Sequence, residues 1–220
     1  MKVSVLLPAA GSGERLGRGP KAFLEIGGKT LLEWALKGFD WAEERIVALP
    51  AGCTLSHPEV RYVVGGKTRQ ASVFNMLKAA TGDIVLIHDV ARPFVVREAV
   101  ERLLEAVQET GAATLAAAVP DTLVESFHAE YGEVIPRERY RLVQTPQGFR
   151  RKLLWKAHLA AQAASTEFTD DAQLVISLGH PVALVEGDRR MFKVTYPEDL
   201  VLAEGLAKIW AGGSTSNVER

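Results

Sequence analysis

The chain begins with an almost entirely apolar run, VSVLL at residues 3–7, which leads directly into the glycine-rich segment PAAGSGERLGRGPK at residues 8–21. An apolar run without polar alternation is typical of a parallel strand that is covered on both faces. Ligands of open α/β sheets bind beyond the carboxyl ends of such strands, where glycines let backbone amides approach phosphate groups closely. This stretch therefore predicts an α/β protein with an anion-binding loop after its first strand.

The same pattern continues along the chain, because short apolar runs alternate with amphipathic segments. Further strands are predicted at residues 45–49, 61–64, 83–88 and 112–119. A capping box, Thr30 with Glu33, predicts a helix that ends at about Phe39. Other helices are predicted at about 68–80, 97–110 and 150–164, with two more that begin near Thr169 and at Pro197. Strands that alternate with helices predict an α/β fold of three layers, with an open, mostly parallel sheet.

Residues 121–147 interrupt this alternation. Two short strand-like pieces, at 122–127 and 133–135, lie on either side of Tyr131, and we interpret the segment as a projecting β-arm. A lone two-stranded ribbon is only marginally stable in water, so we expect the arm to pack on a second copy of the chain, as a homodimer. An ordinary surface hairpin is the alternative. We expect residues 1–210, the arm included, to form one domain, and residues 211–220 to be a disordered tail.

Composition and charge exclude several classes of function. The 220 residues carry 26 Lys and Arg against 27 Asp and Glu, for a formal net charge of −1, so no overall positive field would hold nucleic acid. No apolar run reaches the roughly 18 residues of a membrane span, and the N-terminus shows no secretion signal. The single cysteine, Cys53, excludes an internal disulfide and a thiolate zinc cluster. We therefore expect a cytoplasmic protein that binds neither nucleic acid nor membranes.

The glycine-rich segment matches neither of two familiar phosphate-binding motifs. Leu16 stands where the dinucleotide fingerprint needs its last glycine, and Leu16 and Arg18 stand where the P-loop needs its second. Four glycines together with Arg15 and Lys21 nevertheless suit a triphosphate, since amides can wrap the phosphates while two cations hold the charge. A flexible loop with solvated charges is the alternative.

Five further strings add to this segment. They are GGKTRQASV at 65–73, HDVARP at 88–93, PDT at 120–122, TPQ at 145–147, and VEG followed by FKVTYPEDL between 185 and 200. In this order and spacing the six strings resemble the 2-C-methyl-D-erythritol 4-phosphate cytidylyltransferases of the non-mevalonate isoprenoid pathway, over residues 3 to about 208. The chain departs from the family pattern at Val90, where alanine is usual, at Asp171, where glutamate is expected, and after Pro120, where many members have one residue more.

The resemblance implies a Rossmann-like nucleotidyltransferase fold and a reaction between CTP and a polyol phosphate. The phosphate oxygen of the polyol would attack the α-phosphorus of CTP and expel pyrophosphate. A phosphate monoester has its second pKa near ~6, so the nucleophile is already mostly a dianion at neutral pH and needs no general base. The demand is for positioning and electrostatic stabilisation. The implied cofactor is Mg²⁺ or another divalent cation, held mainly by the CTP phosphates, with Asp89 as an alternative ligand.

The resemblance also implies roles for individual residues. The implied catalytic residues are Arg15, Lys21, Arg137 and Lys193, of which Arg137 lies in the arm and would reach the active site of a neighbouring subunit. The implied CTP-binding residues are Ala9, Ala10, Gly11, Ser12, Gly13, Lys21, Gly65, Gly66, Ser72, Asp89 and Lys193. The implied binding residues for the polyol phosphate are Asp89, Arg92, Thr122, Arg137, Thr169 and Lys193.

Plainer roles stay open for some of these positions. A surface salt bridge with a nearby glutamate is the alternative for Arg15, and helix initiation is the alternative for Ser72. Asp170 could be an acidic residue at a helix start. His88 ends an apolar strand, so we expect a hydrogen-bonded structural histidine. Lys193 lies between apolar residues of a short strand-like run and needs an anionic partner or an exit to solvent.

Three other functions compete with this hypothesis. A ribitol 5-phosphate cytidylyltransferase shares the glycine-rich loop and the strings around Asp89 and Lys193, so only the polyol pocket separates the two. A catalytically silent nucleotide-binding module should have lost Lys21, Asp89 or Lys193, and all three are present. A nicotinamide-dependent oxidoreductase is opposed by the failed fingerprint and by the lack of an acidic residue at the end of the second strand.

Overall fold

The computed structural model describes residues 1–11 and 21–211, and the arrangement of these residues is an α/β fold with eleven strands. In chain order the strands are β1 (Val3–Pro8), β2 (Glu25–Ile26), β3 (Lys29–Thr30), β4 (Glu44–Leu49), β5 (Val60–Val64), β6 (Ile84–Ile87), β7 (Ala112–Ala118), β8 (Leu123–Phe127), β9 (Glu130–Ile135), β10 (Arg141–Arg150) and β11 (Ala183–Glu186). Seven of them form the central sheet, in the order β11-β7-β10-β6-β1-β4-β5. All neighbouring strands in this sheet are parallel except β10, which is antiparallel to both β6 and β7.

Six helices accompany the strands within these two ranges, close to the positions that the sequence predicts. They are α1 (Leu31–Gly38), α2 (Arg69–Ala79), α3 (Arg97–Thr110), α4 (Arg151–Ala163), α5 (Asp171–Ile176) and α6 (Pro197–Ala211). The predicted capping box begins α1: the Glu33 amide donates to Thr30 Oγ1 at 3.1 Å, and the Thr30 amide donates to Glu33 Oε2 at 2.7 Å. Such a cap stabilises a helix by roughly 1 kcal/mol. None of the helices in the described ranges has the length and apolar character needed to cross a bilayer.

The core lies on both faces of the central sheet. Along β1, Val5 and Leu7 belong to one hydrophobic cluster and Leu6 to the other, and all three side chains are fully buried. The first cluster includes buried residues of α1, α3 and α6, and the second includes buried residues of α2, α4 and α5. Because both faces are covered, the strands read as continuous apolar runs, and the predicted three-layer arrangement is confirmed.

Strand β10 corrects the predicted extent of the arm. The predicted arm extends to residue 147, but Arg141–Arg150 lies inside the central sheet, between β6 and β7. The strand has polar residues at its centre, Gln144, Thr145 and Gln147, and it contains Pro146, which cannot donate to a ladder, so its sequence does not look like a central strand. Its pairing with β7 shifts register between Val143 and Gln147, and this irregularity accommodates the proline.

The arm itself is present as a ribbon of β8 and β9, with antiparallel pairing from Leu123–Ile135 to Phe127–Glu130. Its connection uses positive φ angles at His128 and Ala129, as a tight hairpin turn requires. Large apolar side chains of the ribbon face solvent in the single chain, with Phe127 65%, Tyr131 73% and Val134 54% exposed. The other end of the chain continues α6 through Ala211, and residues 212–220, in the predicted tail, lie outside the described ranges.

Candidate active site

A cavity of about 570 Å³ opens beyond the carboxyl ends of the central parallel strands. The segment after β1, the turn before α2 and the segment after β6 meet there. The predicted site residues that line it are Ala9, Ala10, Gly11, Lys21, Gly66, Ser72, Asp89 and Lys193, joined by Pro8, Ala22, Lys67, Thr68, Arg69, Val90 and Ala91. The structure therefore brings residues from distant parts of the sequence to the edge of the sheet where α/β proteins bind ligands.

Short backbone hydrogen bonds fix one wall of the cavity. The Ala9 amide donates to the Ala48 carbonyl at 2.9 Å, and the Gly65 amide donates to the Leu49 carbonyl at 2.8 Å. The two segments are so close that a Cβ at Gly65 would lie 2.3 Å from the Cβ of Ala10. Glycine at position 65 therefore lets the loop after β1 pack against the turn after β5.

The Ser72 hydroxyl stabilises the turn between β5 and α2 that contains Gly65 and Gly66. Its hydroxyl accepts from the Gly66 amide at 3.0 Å and donates to the Thr68 carbonyl at 2.9 Å. Thr68 is the N-cap of α2, where its own hydroxyl accepts from the Ala71 amide at 3.2 Å. Ser72 thus lines the cavity and also takes part in helix initiation, the alternative that the sequence left open.

Asp89 holds the centre of the charge arrangement. Its Oδ2 accepts from Lys193 Nζ at 2.7 Å and its Oδ1 accepts from Arg69 Nε at 3.2 Å. Its amide donates to Thr145 Oγ1 at 3.0 Å. Burial alone would raise the pKa of Asp89, but the charges of Arg69 and Lys193 outweigh burial and hold the pKa well below its usual range. The carboxylate is therefore ionised across the physiological pH range, and Lys193 has the anionic partner that its sequence context required.

Lys193 and Lys21 approach the cavity from neighbouring segments. The run around Lys193 is not the strand-like element that the sequence suggested: Arg189–Met191 form one 3-10 turn, and the following residues are irregular. The Val194 amide donates to the Ala91 carbonyl at 2.8 Å, and Lys21 Nζ donates to the Val194 carbonyl at 3.1 Å. The ammonium groups of Lys21 and Lys193 consequently line one cavity, as an anionic ligand requires.

Arg69 and Asp171 are residues to which the sequence analysis assigned no role. Arg69 Nη1 donates to Asp171 Oδ2 at 2.7 Å, and the Asp171 side chain is only 1% exposed. Burial opposes the charge on Arg69, but Asp171 and Asp89 outweigh it and raise its pKa. Arg69 lies in the first turn of α2, where a cation is unfavourable for the helix dipole. An arginine at this unfavourable position needs compensating negative charge, and this was the one sequence signal that carboxylates lie nearby.

Arg92 and His88 brace the segment after β6. Arg92 donates from Nη1 to the Met191 carbonyl at 2.8 Å and from Nη2 to the Val143 carbonyl at 3.2 Å. His88 is fully buried, with Nε2 2.8 Å from the Arg92 carbonyl and Nδ1 3.2 Å from Thr145 Oγ1. Burial lowers the pKa of His88 to about 4, so the imidazole is neutral at pH 7. The prediction of a hydrogen-bonded structural histidine is confirmed.

Gly65 and Arg92, described above, are not among the residues that line the cavity, and three further predicted site residues do not line the cavity of their own chain either. Thr122 is exposed at the base of the arm, and Arg137 lies after β9, where its guanidinium donates to the Pro120 carbonyl. Thr169 is exposed, and its hydroxyl accepts from Gln173 Nε2 at 2.8 Å. The structure therefore separates these three residues from the group around Asp89.

Four predicted residues remain, of which the structure describes only Asp170. Asp170 is the N-cap of α5 and accepts from the Gln173 amide at 2.9 Å, so it has the helix-start role that was the alternative for it. Ser12, Gly13 and Arg15 lie outside the described residues.

Comparison with known proteins supports the family resemblance that the sequence strings indicate. Residues 3–208 match the family model described as "IspD: 2-C-methyl-D-erythritol 4-phosphate cytidylyltransferase". The chain is 57% identical to the 2-C-methyl-D-erythritol 4-phosphate cytidylyltransferase of Thermus thermophilus, over 96% of this chain and all of that protein. The corresponding protein of Deinococcus radiodurans is 50% identical, over 96% of this chain and 92% of that protein.

A solved structure agrees with the sequence relatives. The crystal structure of the Thermus thermophilus enzyme superposes with a TM-score of 0.88 at 55% identity, over 94% of this chain and all of that chain. Both the fold and nearly the whole length are therefore shared with proteins of one family. The chain belongs to the 2-C-methyl-D-erythritol 4-phosphate cytidylyltransferase family.

Proposed function

We propose that this protein transfers the cytidylyl group of CTP to 2-C-methyl-D-erythritol 4-phosphate, which gives 4-diphosphocytidyl-2-C-methyl-D-erythritol and pyrophosphate. The observation that carries the proposal is the cavity in which Lys21, Lys193 and Asp89 lie together beside a glycine-lined wall. Family membership over residues 3–208 supports the choice of nucleotide and acceptor. The product would enter isoprenoid precursor biosynthesis.

The shape of the cavity suggests how CTP would lie. The turn at Gly65 and Gly66 has no side chains, so the edge of the cytosine ring can approach its backbone, with Ser72 holding the turn in place. The triphosphate would extend toward Lys21 and Lys193, beside the backbone of residues 9–11. The N-terminus of α2 also opens at this cavity and favours negative charge.

The charged groups favour catalysis by positioning and electrostatics rather than by proton transfer. The acceptor phosphate would attack the α-phosphorus, and Lys21 and Lys193 would stabilise the charge on the five-coordinate phosphorus. Asp89 is a poor proton acceptor because its pKa is lowered, and His88 is buried and already bonded. A dianionic phosphate monoester needs no general base, which agrees with the lack of a suitable one among the described residues of the cavity.

A divalent cation, Mg²⁺ by preference, is proposed as the cofactor. The described residues contain no group of three or more His, Cys, Asp or Glu that could hold a metal ion by themselves. Mg²⁺ usually combines one or two carboxylates with substrate phosphates and water, and Asp89 is the carboxylate that lines the cavity. These residues fit an ion that arrives with the triphosphate, where it would neutralise part of the phosphate charge.

We also propose that two copies of the chain form the working enzyme through the arm. The exposed apolar side chains of β8 and β9 have no cover within the described residues of one chain, and a free ribbon of this kind is marginal in water. Arg137 follows β9, so a dimer built through the arm can carry its charge to the cavity of the partner subunit. We place the enzyme in the cytoplasm, where CTP is available.

The test is pyrophosphate release by the purified protein with CTP and Mg²⁺, with either methylerythritol 4-phosphate or ribitol 5-phosphate. We expect release with methylerythritol 4-phosphate and little with ribitol 5-phosphate. Preference for ribitol 5-phosphate would agree with cytidylyl transfer but would contradict methylerythritol 4-phosphate as the acceptor. Binding of CTP without release in either reaction would instead favour a silent nucleotide-binding module.

A further inference from the structure

A chain of four charged side chains begins outside the cavity and ends inside it. Asp171 contacts Arg69 (2.7 Å), Arg69 contacts Asp89 (3.2 Å), and Asp89 contacts Lys193 (2.7 Å). Arg69, Asp89 and Lys193 line the cavity, whereas Asp171 does not. Asp171 therefore reaches the cavity through its contact with Arg69.

The guanidinium of Arg69 is fixed at two points. Its Nε donates to Asp89 and its Nη1 donates to Asp171. A guanidinium is planar, with its donors in fixed directions, so two bonds to separate carboxylates determine the orientation of the whole group. With only one of these bonds, the plane could rotate about the remaining contact.

Asp171 is held firmly enough to act as the anchor. Gln147 Oε1 accepts from the amides of Asp171 and Ala172, at 3.0 Å each, which fixes the first turn of α5. Among residues 1–11 and 21–211, the Oδ1 atom of Asp171 is buried and has no hydrogen-bond partner. Arg69 is thus the cation that compensates this carboxylate, and a buried charge of this kind persists only when it is paired.

The other end of the chain positions Lys193. Because Arg69 occupies Oδ1 of Asp89, the second oxygen, Oδ2, is the one that faces Lys193 Nζ. Lys193 lies in an irregular segment, and a lysine side chain is a point charge on a flexible stem. Its location therefore depends on the orientation of the Asp89 carboxylate.

We infer that Arg69 is a positioning residue for cytidylyl transfer, anchored by the buried Asp171, and that it orients Asp89 and thereby Lys193. This inference rests on the proposed function, because it concerns the same cavity and the same reaction. Asp171 is the sharper place to test it, since Arg69 lines the cavity and could also touch a ligand directly.

The first variant is Asp171→Asn, which keeps the size of the side chain and removes its charge. We expect kcat to fall about tenfold or more, as for other residues that orient a reacting group, while KM for CTP changes less than about threefold. Glu101→Gln is the matched control, because Glu101 pairs with Arg97 on the exposed face of α3, and it should keep the wild-type kcat. Wild-type turnover in the same assay separates failure of this inference from failure of the proposed function.

A double-mutant comparison distinguishes positioning from a general loss of structure. If Asp171 acts through Asp89, then Asp171→Asn should lower single-turnover rates by less than about twofold in an Asp89→Asn background, since coupled residues are not additive. The same tenfold loss in both backgrounds would overturn the inference, as would a wild-type kcat in the single variant.

Arg69→Lys decides the matter if Asp171→Asn does not fold. This variant keeps the positive charge but lacks the fork, so one ammonium cannot keep the geometry of both contacts. We expect a loss of kcat of about tenfold or more in the folded protein, with KM for CTP again nearly constant. A kcat within about twofold of the wild type would refute the positioning role.

Discussion

The buried histidines predict a loss of stability in mild acid that can be calculated from the structure. His88 is 0% exposed and His158 is 1% exposed, and burial lowers the pKa of each from 6.5 to about 4. In the unfolded chain both imidazoles bind a proton below pH 6.5, whereas in the folded protein they resist protonation until about pH 4. Their contribution is therefore complete above pH 6.5 and is lost as the pH falls toward 4.

The size of the effect follows from the two pKa values. At pH 5 each histidine should lower the free energy of unfolding by about 2 kcal/mol relative to pH 8, and the pair by about 4 kcal/mol. This is a large part of the roughly 5–15 kcal/mol that stabilises a typical domain. Burial raises the pKa of Asp171, so this carboxyl works in the opposite direction as the pH falls. Asp89, with its lowered pKa, favours the folded state until the pH falls below the usual range of carboxyls.

The assay is urea denaturation at pH 8, 6.5 and 5, at one protein concentration and one ionic strength. The comparison protein carries His88→Gln and His158→Gln, which replace both imidazoles with neutral amides. We expect the wild type to lose about 4 kcal/mol between pH 8 and pH 5 and the double variant to lose about 1 kcal/mol or less. An equal loss in both proteins would refute the reasoning, because the acid sensitivity would then arise from other groups.

Three further predictions concern the cavity and the arm. Lys193→Ala should lower kcat by about 10²–10³, measured by pyrophosphate release, and a loss below about tenfold would exclude Lys193 from transition-state stabilisation. Gly65→Ala places a Cβ 2.3 Å from that of Ala10, so it should raise KM for CTP about tenfold; an unchanged KM would show that this close approach does not shape the nucleotide pocket. Arg137→Ala should be nearly inactive alone, yet an equal mixture with Lys193→Ala should recover about a quarter of the wild-type activity, since half of the dimers would then contain one intact site. No recovery after subunit exchange would contradict an active site shared between subunits.

Sequence reasoning predicted the elements whose burial leaves a clear local pattern. β1 and β6 are covered on both faces and appear as short apolar runs, and the capping box at Thr30 marks the start of α1. β10 was missed because polar residues interrupt its apolar pattern at the centre and because Pro146 lies within it. β11, with four residues at the edge of the sheet, was also not identified as a strand.

The site residues that could be predicted were likewise those that a local sequence pattern marks. Lys21, Asp89 and Lys193 were found because motif strings carry them, and the structure places all three in one cavity. The bond between Arg69 and Asp171 joins residues 102 positions apart, on two different helices, and no local pattern specifies such a contact. Thr145 was likewise given no role, although its hydroxyl accepts from the Asp89 amide. Thr169 was predicted to bind the polyol phosphate, yet it lies outside the cavity.

The most direct test of the central claim follows the α-phosphate of CTP itself. The purified protein would be mixed with CTP labelled at the α-phosphate, Mg²⁺ and methylerythritol 4-phosphate, and the labelled products would be separated after a single turnover. The account predicts that the label moves to the methylerythritol acceptor as a diphosphodiester, and that Lys193→Ala slows this transfer while Lys37→Ala, on the exposed side of α1, does not. Label that stays in CTP, or that appears only as CMP, would contradict cytidylyl transfer at this cavity.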